Sequence, residues 1–443
     1  MKESLRILHI NDLHSHFEAY PKIKRFFAEH SKTQREVLRF DIGDNVDKSH
    51  PLTDVSAGRV NVDLMNDLGI DFATIGNNEG IGLAKAEINQ LYHKADFQVI
   101  LGNLRDKKGR PTWAQPYVIY ETKAGTKLAL LAYTFPYYWT YVPNGWQVLD
   151  AISSLKKDLE NPEVAAADFR ILLSHLGIRL DEKIARQVPE IDLIIGAHTH
   201  HVFEEGEVVN GTYLAAAGRY GDHVGQIDLD FEDHSLTDIA IEAVPTSDLD
   251  SEKEDAAFVA HLFEEGEKLL AENLICKLSR QPSLKECADL VMEAMKKSAA
   301  ADLAIINTGL VVEPFSQNLT KADLHKSLPH QMRLVKFQVT QTELLEICHD
   351  IFSQADLLAN QQIRGMGFRG KQFGKVVTSG FTYKNGKIVY NNKAIGRKDK
   401  MSLVLVDQYY FAPYFNSLTS RKGQLLFPDL LRQTVEKYLR GDL

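Results

Sequence analysis

The chain has 443 residues, 44% of them apolar and 25% charged, with a formal net charge of -9 at neutral pH. That length exceeds what one hydrophobic core usually serves, so at least two domains are expected, and the composition excludes a disordered or membrane-embedded protein. The acidic balance argues against partners that are nucleic-acid polymers, yet leaves room for one small phosphate ester.

In chain order, short apolar runs rich in β-branched residues recur through the first half: "LRILHI", "EVLRFDIG", "FATIG", "FQVILGN", "KLALLAYT", "FRILLSHLG" and "IDLIIGAHTH". Stretches of helical period such as "YPKIKRFFAEHSK" and "RVNVDLMNDLG" separate several of them, and this alternation predicts an α/β layer fold with buried strands. Asp12, Asp44, Asn77, His175 and His198 each follow directly on such a run. Polar side chains at successive strand ends converge on one edge, the usual place for a site in an α/β fold.

Residues 246–272 are charged, poor in Gly and Pro and helical in period, which predicts a connecting helix between a domain over 1–245 and a second over 273–443. Beyond it, "ADLAIINTG", "MRLVKFQVT" and "KMSLVLVDQYY" read as strands, and "SLKECADLVMEAMKKSAA" and "QTELLEICHDIFSQADLL" as amphipathic helices, giving a second α/β domain. Cys276, Cys287 and Cys348 share no C-x-x-C spacing and suit a reducing compartment. With no stretch of membrane-span or signal-peptide character, a cytoplasmic monomer or dimer is expected.

The chemistry lies in the polar residues at the strand ends. Asp12 and His14 in "NDLH", Asp44 in "GDN", Asn77 in "GNNE", His175 in "SHLG" and His198 and His200 in "GAHTH" supply carboxylate, amide and imidazole groups. Divalent cations such as Mn²⁺, Zn²⁺, Co²⁺ or Mg²⁺ take such ligands, and two ions held about 3.5–4 Å apart need roughly this many. Each motif alone is more often a turn or a core residue. Five in succession, each at a strand end, point to a two-metal site.

This ordered set resembles the calcineurin-like metallophosphoesterases, and the two-domain layout resembles their 5'-nucleotidase branch. The resemblance implies an N-terminal sandwich of two mixed sheets flanked by helices, followed by a C-terminal α/β substrate-binding domain. It further implies that Asp12, His14 and His200 hold one ion, that Asn77, His175 and His198 hold the other, and that Asp44 bridges them. A hydroxide between the ions would then attack phosphorus and release phosphate from a nucleotide. Asn11, Glu79 and Thr199 would orient the ligands.

In the family pattern the residue after the ligand Asn is usually His, which serves the transferring phosphoryl group. Asn78 stands there, and an amide can donate a hydrogen bond but cannot deliver a proton. His16, His201 and His223 neighbour the motifs; His223, in the Gly-rich "AAAGRYGDHVG", is the preferred substitute. For the substrate, the resemblance implies stacking rings and a cationic group in the second domain, with Phe368, Phe373, Tyr410 and Phe411 as rings and Arg369 and Lys371 as cations. The arginine expected after Asn307 and Gly309 is absent from "NTGLVVEPF". Two other readings stand beside a 5'-nucleotidase: a 2',3'-cyclic nucleotide phosphodiesterase or nucleotide-sugar or dinucleotide pyrophosphatase, and a non-catalytic nucleotide sensor.

Overall fold

Alternation along the strand Lys2–Ile10 sends Leu5 and Ile7 into a buried cluster, while Arg6 faces outward and pairs at 2.6 Å with Asp228 on the neighbouring strand. This strand lies inside a six-stranded mixed sheet, ordered Ser235–Pro245, His223–Glu232, Lys2–Ile10, Glu36–Asp41, Phe72–Ala73 and Gln98–Val99. A second six-stranded mixed sheet runs Glu207–Val209, Thr212–Ala215, Leu193–Gly196, Phe169–His175, Lys127–Thr134 and Tyr117–Glu121. The inner faces meet through Ile7, Phe40, Leu130, Ile171, Ile195 and Ile227. On the outer face of the second sheet, Leu131, Leu172 and Ile194 pack with Leu155 and Ile184 from the helices Ala151–Leu159 and Ile178–Gln187. Strands covered on both faces are apolar at nearly every position, as Lys127–Thr134 and Phe169–His175 are.

The coordinates are those of a computed structural model and describe residues 2–362, 367–390, 400–412 and 414–443. Gly365 and Met366 of "GMGFRGKQF" and Pro413 of "DQYYFAPYF" lie outside the described residues.

The chain divides into two compact units, Met1–Gly266 and Glu267–Leu443. The division falls inside the helix Lys253–Ala271. Its N-terminal part is fastened to the first unit by Asp255 on Arg25 and by Phe258 stacked on Tyr20, and a Cβ at Gly266 would meet the Leu52 backbone at 2.2 Å.

In the second unit a five-stranded sheet runs Val376–Ser379, Leu303–Asn307, Met401–Val406, Leu334–Val339 and Gln424–Leu426. Helix Leu284–Ala299 begins at a capping box of Ser283 and Glu286, and helix Gln341–Ser353 at one of Thr340 and Glu343, the reciprocal pairing that starts a helix in both sequences. The stretch "KMSLVLVDQYY" is strand only over Met401–Val406; the short helix Gln408–Phe411 follows. Asp407 causes the change, because its helical backbone lets its carbonyl accept from the N–H of Tyr410 and Phe411. Among the described residues no helix is long and apolar enough to cross a membrane.

Candidate metal centre

Asp12, Asp44 and Asn77 follow the strands Lys2–Ile10, Glu36–Asp41 and Phe72–Ala73 of the first sheet, whereas His175 ends, and His198 and His200 follow, strands of the second. Two groups result, Asp12 with His14 and His200, and Asp44 with His175 and His198, each able to present its ligand atoms within 4.8 Å of one another. Asp44 Oδ2 lies 3.4 Å from His175 Nε2 and 3.8 Å from His14 Nε2, so it faces both groups. Asp12 Oδ1 lies 3.5 Å from His200 Nε2 and 3.8 Å from His14 Nε2.

The donor set fits a pair of cations. His14 Nε2, Asn77 Oδ1 and His175 Nε2 are all buried without a hydrogen-bond partner, a costly condition for polar atoms that meet no ligand. His175 Nδ1 lies 2.8 Å from the Ile42 carbonyl. Only an N–H can satisfy that contact, which leaves the Nε2 lone pair free for an ion. The Tyr137 hydroxyl sits 3.1 Å from His198 Nε2; with Tyr137 accepting from an Nε2–H, Nδ1 is the nitrogen of that ring that could meet an ion. With four imidazoles beside two carboxylates and an amide, the set suits transition ions such as Mn²⁺, Zn²⁺ or Co²⁺ better than Mg²⁺ alone.

The neighbours of these residues are engaged as well. The His198 N–H donates to both Asp12 oxygens, at 3.1 and 3.0 Å, and the Asn11 amide donates to Asp12 Oδ2 at 3.1 Å. Glu79 is fully buried and accepts from the N–H groups of Asp44, Gly76 and Val46 at 3.0, 2.8 and 2.8 Å, lashing the "GDN" and "GNNE" turns together. Burial and the charge of Asp44 push Glu79 up to about 8. Burial alone would raise Asp44, but His175 and His14 beside it hold it well below the usual carboxylate range. Burial opposes charge on His175, and with no ion present Asp44 overrides it and raises the ring; a cation at Nε2 would take the place of that proton. Burial, then His175, pulls His198 down to about 4. Thr199 accepts from the Ile178 N–H at 3.0 Å and lies 3.0 Å from His201 Nδ1.

Close approach of the turns requires glycine at two places. Gly43 has φ +85°, and a Cβ there would lie 2.4 Å from the Gly76 nitrogen; a Cβ on Gly76 would lie 2.0 Å from Asp44 Oδ1. Asp12, His14, Asp44, His198 and His200 themselves have φ between 50° and 73°, a left-handed conformation costing a side-chain-bearing residue about 1 kcal/mol or more.

Asn78 donates its backbone N–H to Asp44 Oδ1 at 2.7 Å, and its side-chain amide lies 2.9 Å from His14 Nδ1. His223 opens the strand His223–Glu232, with Nδ1 buried, unpartnered and beside Gly218; it belongs to neither ligand group. His16 is stacked on Tyr220. In the second unit, Phe373 is 0% exposed and lies in the core; Phe368 is buried and stacked on His330, whose Nδ1 accepts from the Arg369 N–H at 3.0 Å. Tyr410 packs on Phe337 and donates its hydroxyl to the Arg421 carbonyl at 3.1 Å. Phe411 keeps an exposed face, and Lys371 is exposed. In this conformation Phe368 and Phe373 have no face free to stack on a base.

Sequence reasoning passed over three side chains at the site. Tyr137 reaches His198, Phe135 stacks on the same ring at 5.1 Å, and Arg219 Nη1 lies 3.3 Å from His200 Nδ1 while its guanidinium covers Tyr220. The run "FPYYW" directly after the strand Lys127–Thr134 was the available signal for the first two. Arg219 is one exposed cation in a Gly-rich turn, and only its folded position distinguishes it.

Residues 5–202 match the calcineurin-like phosphoesterase family. Over an alignment of 461 residues the chain is 37% identical to the uncharacterized metallophosphoesterase YunD of Bacillus subtilis (strain 168), spanning 98% of this chain and 99% of that protein. It is 25% identical over 292 residues to a 5'-nucleotidase of Vibrio cholerae serotype O1, covering 55% of this chain and 52% of that one. The structure of Haemophilus influenzae NAD nucleotidase superposes with a TM-score of 0.65 at 16% identity, over 100% of this chain and 97% of that one, so the two-domain nucleotidase fold extends along the whole chain. The chain belongs to the calcineurin-like phosphoesterases and is a metal-dependent phosphoester hydrolase.

Proposed function

We propose that the chain is a 5'-nucleotidase-like phosphomonoesterase acting on a small nucleotide, with Asp12, His14 and His200 on one cation, Asn77, His175 and His198 on the other, and Asp44 between them. The observation that carries this reading is the convergence of two buried, unpartnered ligand atoms, His14 Nε2 and His175 Nε2, on Asp44 Oδ2, with Asn77 Oδ1 likewise buried and unpartnered on the neighbouring turn. Two cations so held supply a nucleophile at neutral pH and charge to bind phosphoryl oxygens. The protein's own part is placement: Asn11 and the His198 N–H fix Asp12, the Asn78 N–H fixes Asp44, and the Ile42 carbonyl fixes His175. Arg219 supplies a permanent cation at the rim. With an ion held on His200 Nε2, Nδ1 would carry the ring proton, and Arg219, now 3.3 Å from that atom, would be left free to donate to a phosphoryl group. The likeness to a 5'-nucleotidase over 55% of this chain supports the nucleotide class, and three cysteines without a disulfide suit a cytoplasmic setting.

The contact of Asn78 with His14 favours a second reading within the same chemistry. An amide held by a ligand delivers no proton to a leaving alkoxide, so esters with acidic leaving groups gain, and anhydrides of the dinucleotide or nucleotide-sugar kind are among them. Hydrolysis with Mn²⁺, Zn²⁺, Co²⁺ or Mg²⁺ added and Asp44→Asn as control separates the cases, followed as phosphate release from nucleoside monophosphates and 4-nitrophenyl phosphate and as the appearance of nucleotide monoesters from dinucleotides and 2',3'-cyclic nucleotides. Turnover of monophosphates by wild type alone supports the proposal, turnover confined to diesters and anhydrides selects the second reading, and nucleotide binding without any turnover selects a sensor.

A further inference from the structure

We propose that Phe135–Trp139 forms a stacking subsite, on the same unit as the metal cluster, for the planar aromatic part of the phosphate ester's leaving group. This inference rests on the hydrolase reading above and adds to it the surface that chooses the ester. The Tyr137 hydroxyl is anchored 3.1 Å from His198 Nε2, its ring centroid is 5.7 Å from that of His198, and Phe135 fills the angle between them at 4.6 Å from Tyr137. The ring of Tyr137 therefore stands immediately outside a ligand, within electrostatic reach of Asp44.

From that anchor the chain exposes aromatic surface without interruption: Tyr137 is 38% exposed, Tyr138 47% and Trp139 71%. Such a run at the rim of a catalytic centre marks a binding surface, and an indole and a phenol offer π-faces that accept any base or aryl ring. The segment is also held from below. Tyr141 is fully buried with its hydroxyl 3.2 Å from Thr134 Oγ1, pressed against Gly80 of the turn that carries Asn77 and Asn78. Tyr141 thus holds the segment to the "GNNE" turn, and Tyr137 and Phe135 hold it to the "GAHTH" turn. Phe368 and Phe373 of the second unit are buried and offer no competing face.

The test uses the full-length protein. Adenosine, which carries no phosphate, is titrated by calorimetry into wild type and Trp139→Ala, and kcat/KM is measured for adenosine 5'-monophosphate and ribose 5-phosphate with Mn²⁺. Trp139 is too exposed for its truncation to unfold the unit, and circular dichroism checks this. The expected result is adenosine binding weakened about tenfold in the variant, with kcat/KM for the nucleotide falling about tenfold more than that for the sugar phosphate. Equal losses on both esters, or adenosine binding indifferent to Trp139 or absent from wild type, overturn the proposal. Adenosine binding that depends on Trp139 in a protein hydrolysing neither ester leaves the subsite standing and removes the monophosphatase reading instead.

Discussion

At residue 78 an amide lies 2.9 Å from His14 Nδ1, where the family pattern has an imidazole able to carry a proton. General acid assistance is worth roughly 10²–10⁴-fold and is felt most by poor leaving groups. Asn78→His is therefore expected to raise kcat for nucleoside monophosphates at least about tenfold and to leave 4-nitrophenyl phosphate nearly unchanged, in steady-state assays of both esters. Gly76 gives a second expectation. A Cβ there would overlap Asp44 Oδ1, so Gly76→Ala should strip metal from the purified protein by elemental analysis, while Gly82→Ala, whose Cβ would meet only Asn78 Cβ at 3.9 Å, should retain it.

Asp181, buried beneath the strand that ends in His175, hydrogen-bonds Ser174 and is pushed up to about 8 by burial. The folded chain keeps a proton that the unfolded chain releases above about 3.9. Its stabilising contribution is therefore full below that pH and is lost as pH rises to about 8. Asp181→Asn removes the titration, and its Tm relative to wild type should climb steadily between pH 5 and pH 8.5 in scanning calorimetry.

Among elements, the first strand pairs with His223–Glu232 through a contact that tolerates no side chain. His9 stands opposite Gly225, and a Cβ there would lie 1.9 Å from His9 Nε2. Gly225→Ala should lower stability by about 1–3 kcal/mol, the usual cost of overpacking, and His9→Ser should restore most of it; denaturant unfolding of the single and double variants measures both. Strand ends were the most legible part of this molecule, because apolar runs that stop at a lone Asp, Asn or His declare both the sheet and the polar edge. The left-handed backbone at Asp12, His14, Asp44, His198 and His200 was not legible, since tertiary contacts impose it against local preference. The second unit was harder to read. Gly-rich "GFRGKQFG" has the composition of a binding loop, yet Phe368 and Phe373 are buried, and an aromatic ring in such a stretch carries no mark of the side it faces. "FPYYW" held the converse signal: aromatic residues left exposed at a strand end.

Across the whole molecule, all seven proposed ligands lie in the first unit and come from both of its sheets, so cation binding there would add to that unit's folding energy. A ligand at one hundred times its dissociation constant adds about 2.7 kcal/mol. Removal of metal with a chelator should lower the calorimetric transition of the first unit by several degrees and leave that of the second in place; two transitions falling together would contradict it.

The hydrogen bond from His175 to the Ile42 carbonyl crosses from one sheet to the other directly beside the ligands, so the sandwich works as a caliper. Its jaws are Asp44 and His175, and Phe40, Leu130 and Ile171 fill the space between the sheets that carry them. A methyl group gained or lost in that interior is therefore expected to change the span available to a pair of ions, and with it the catalytic rate.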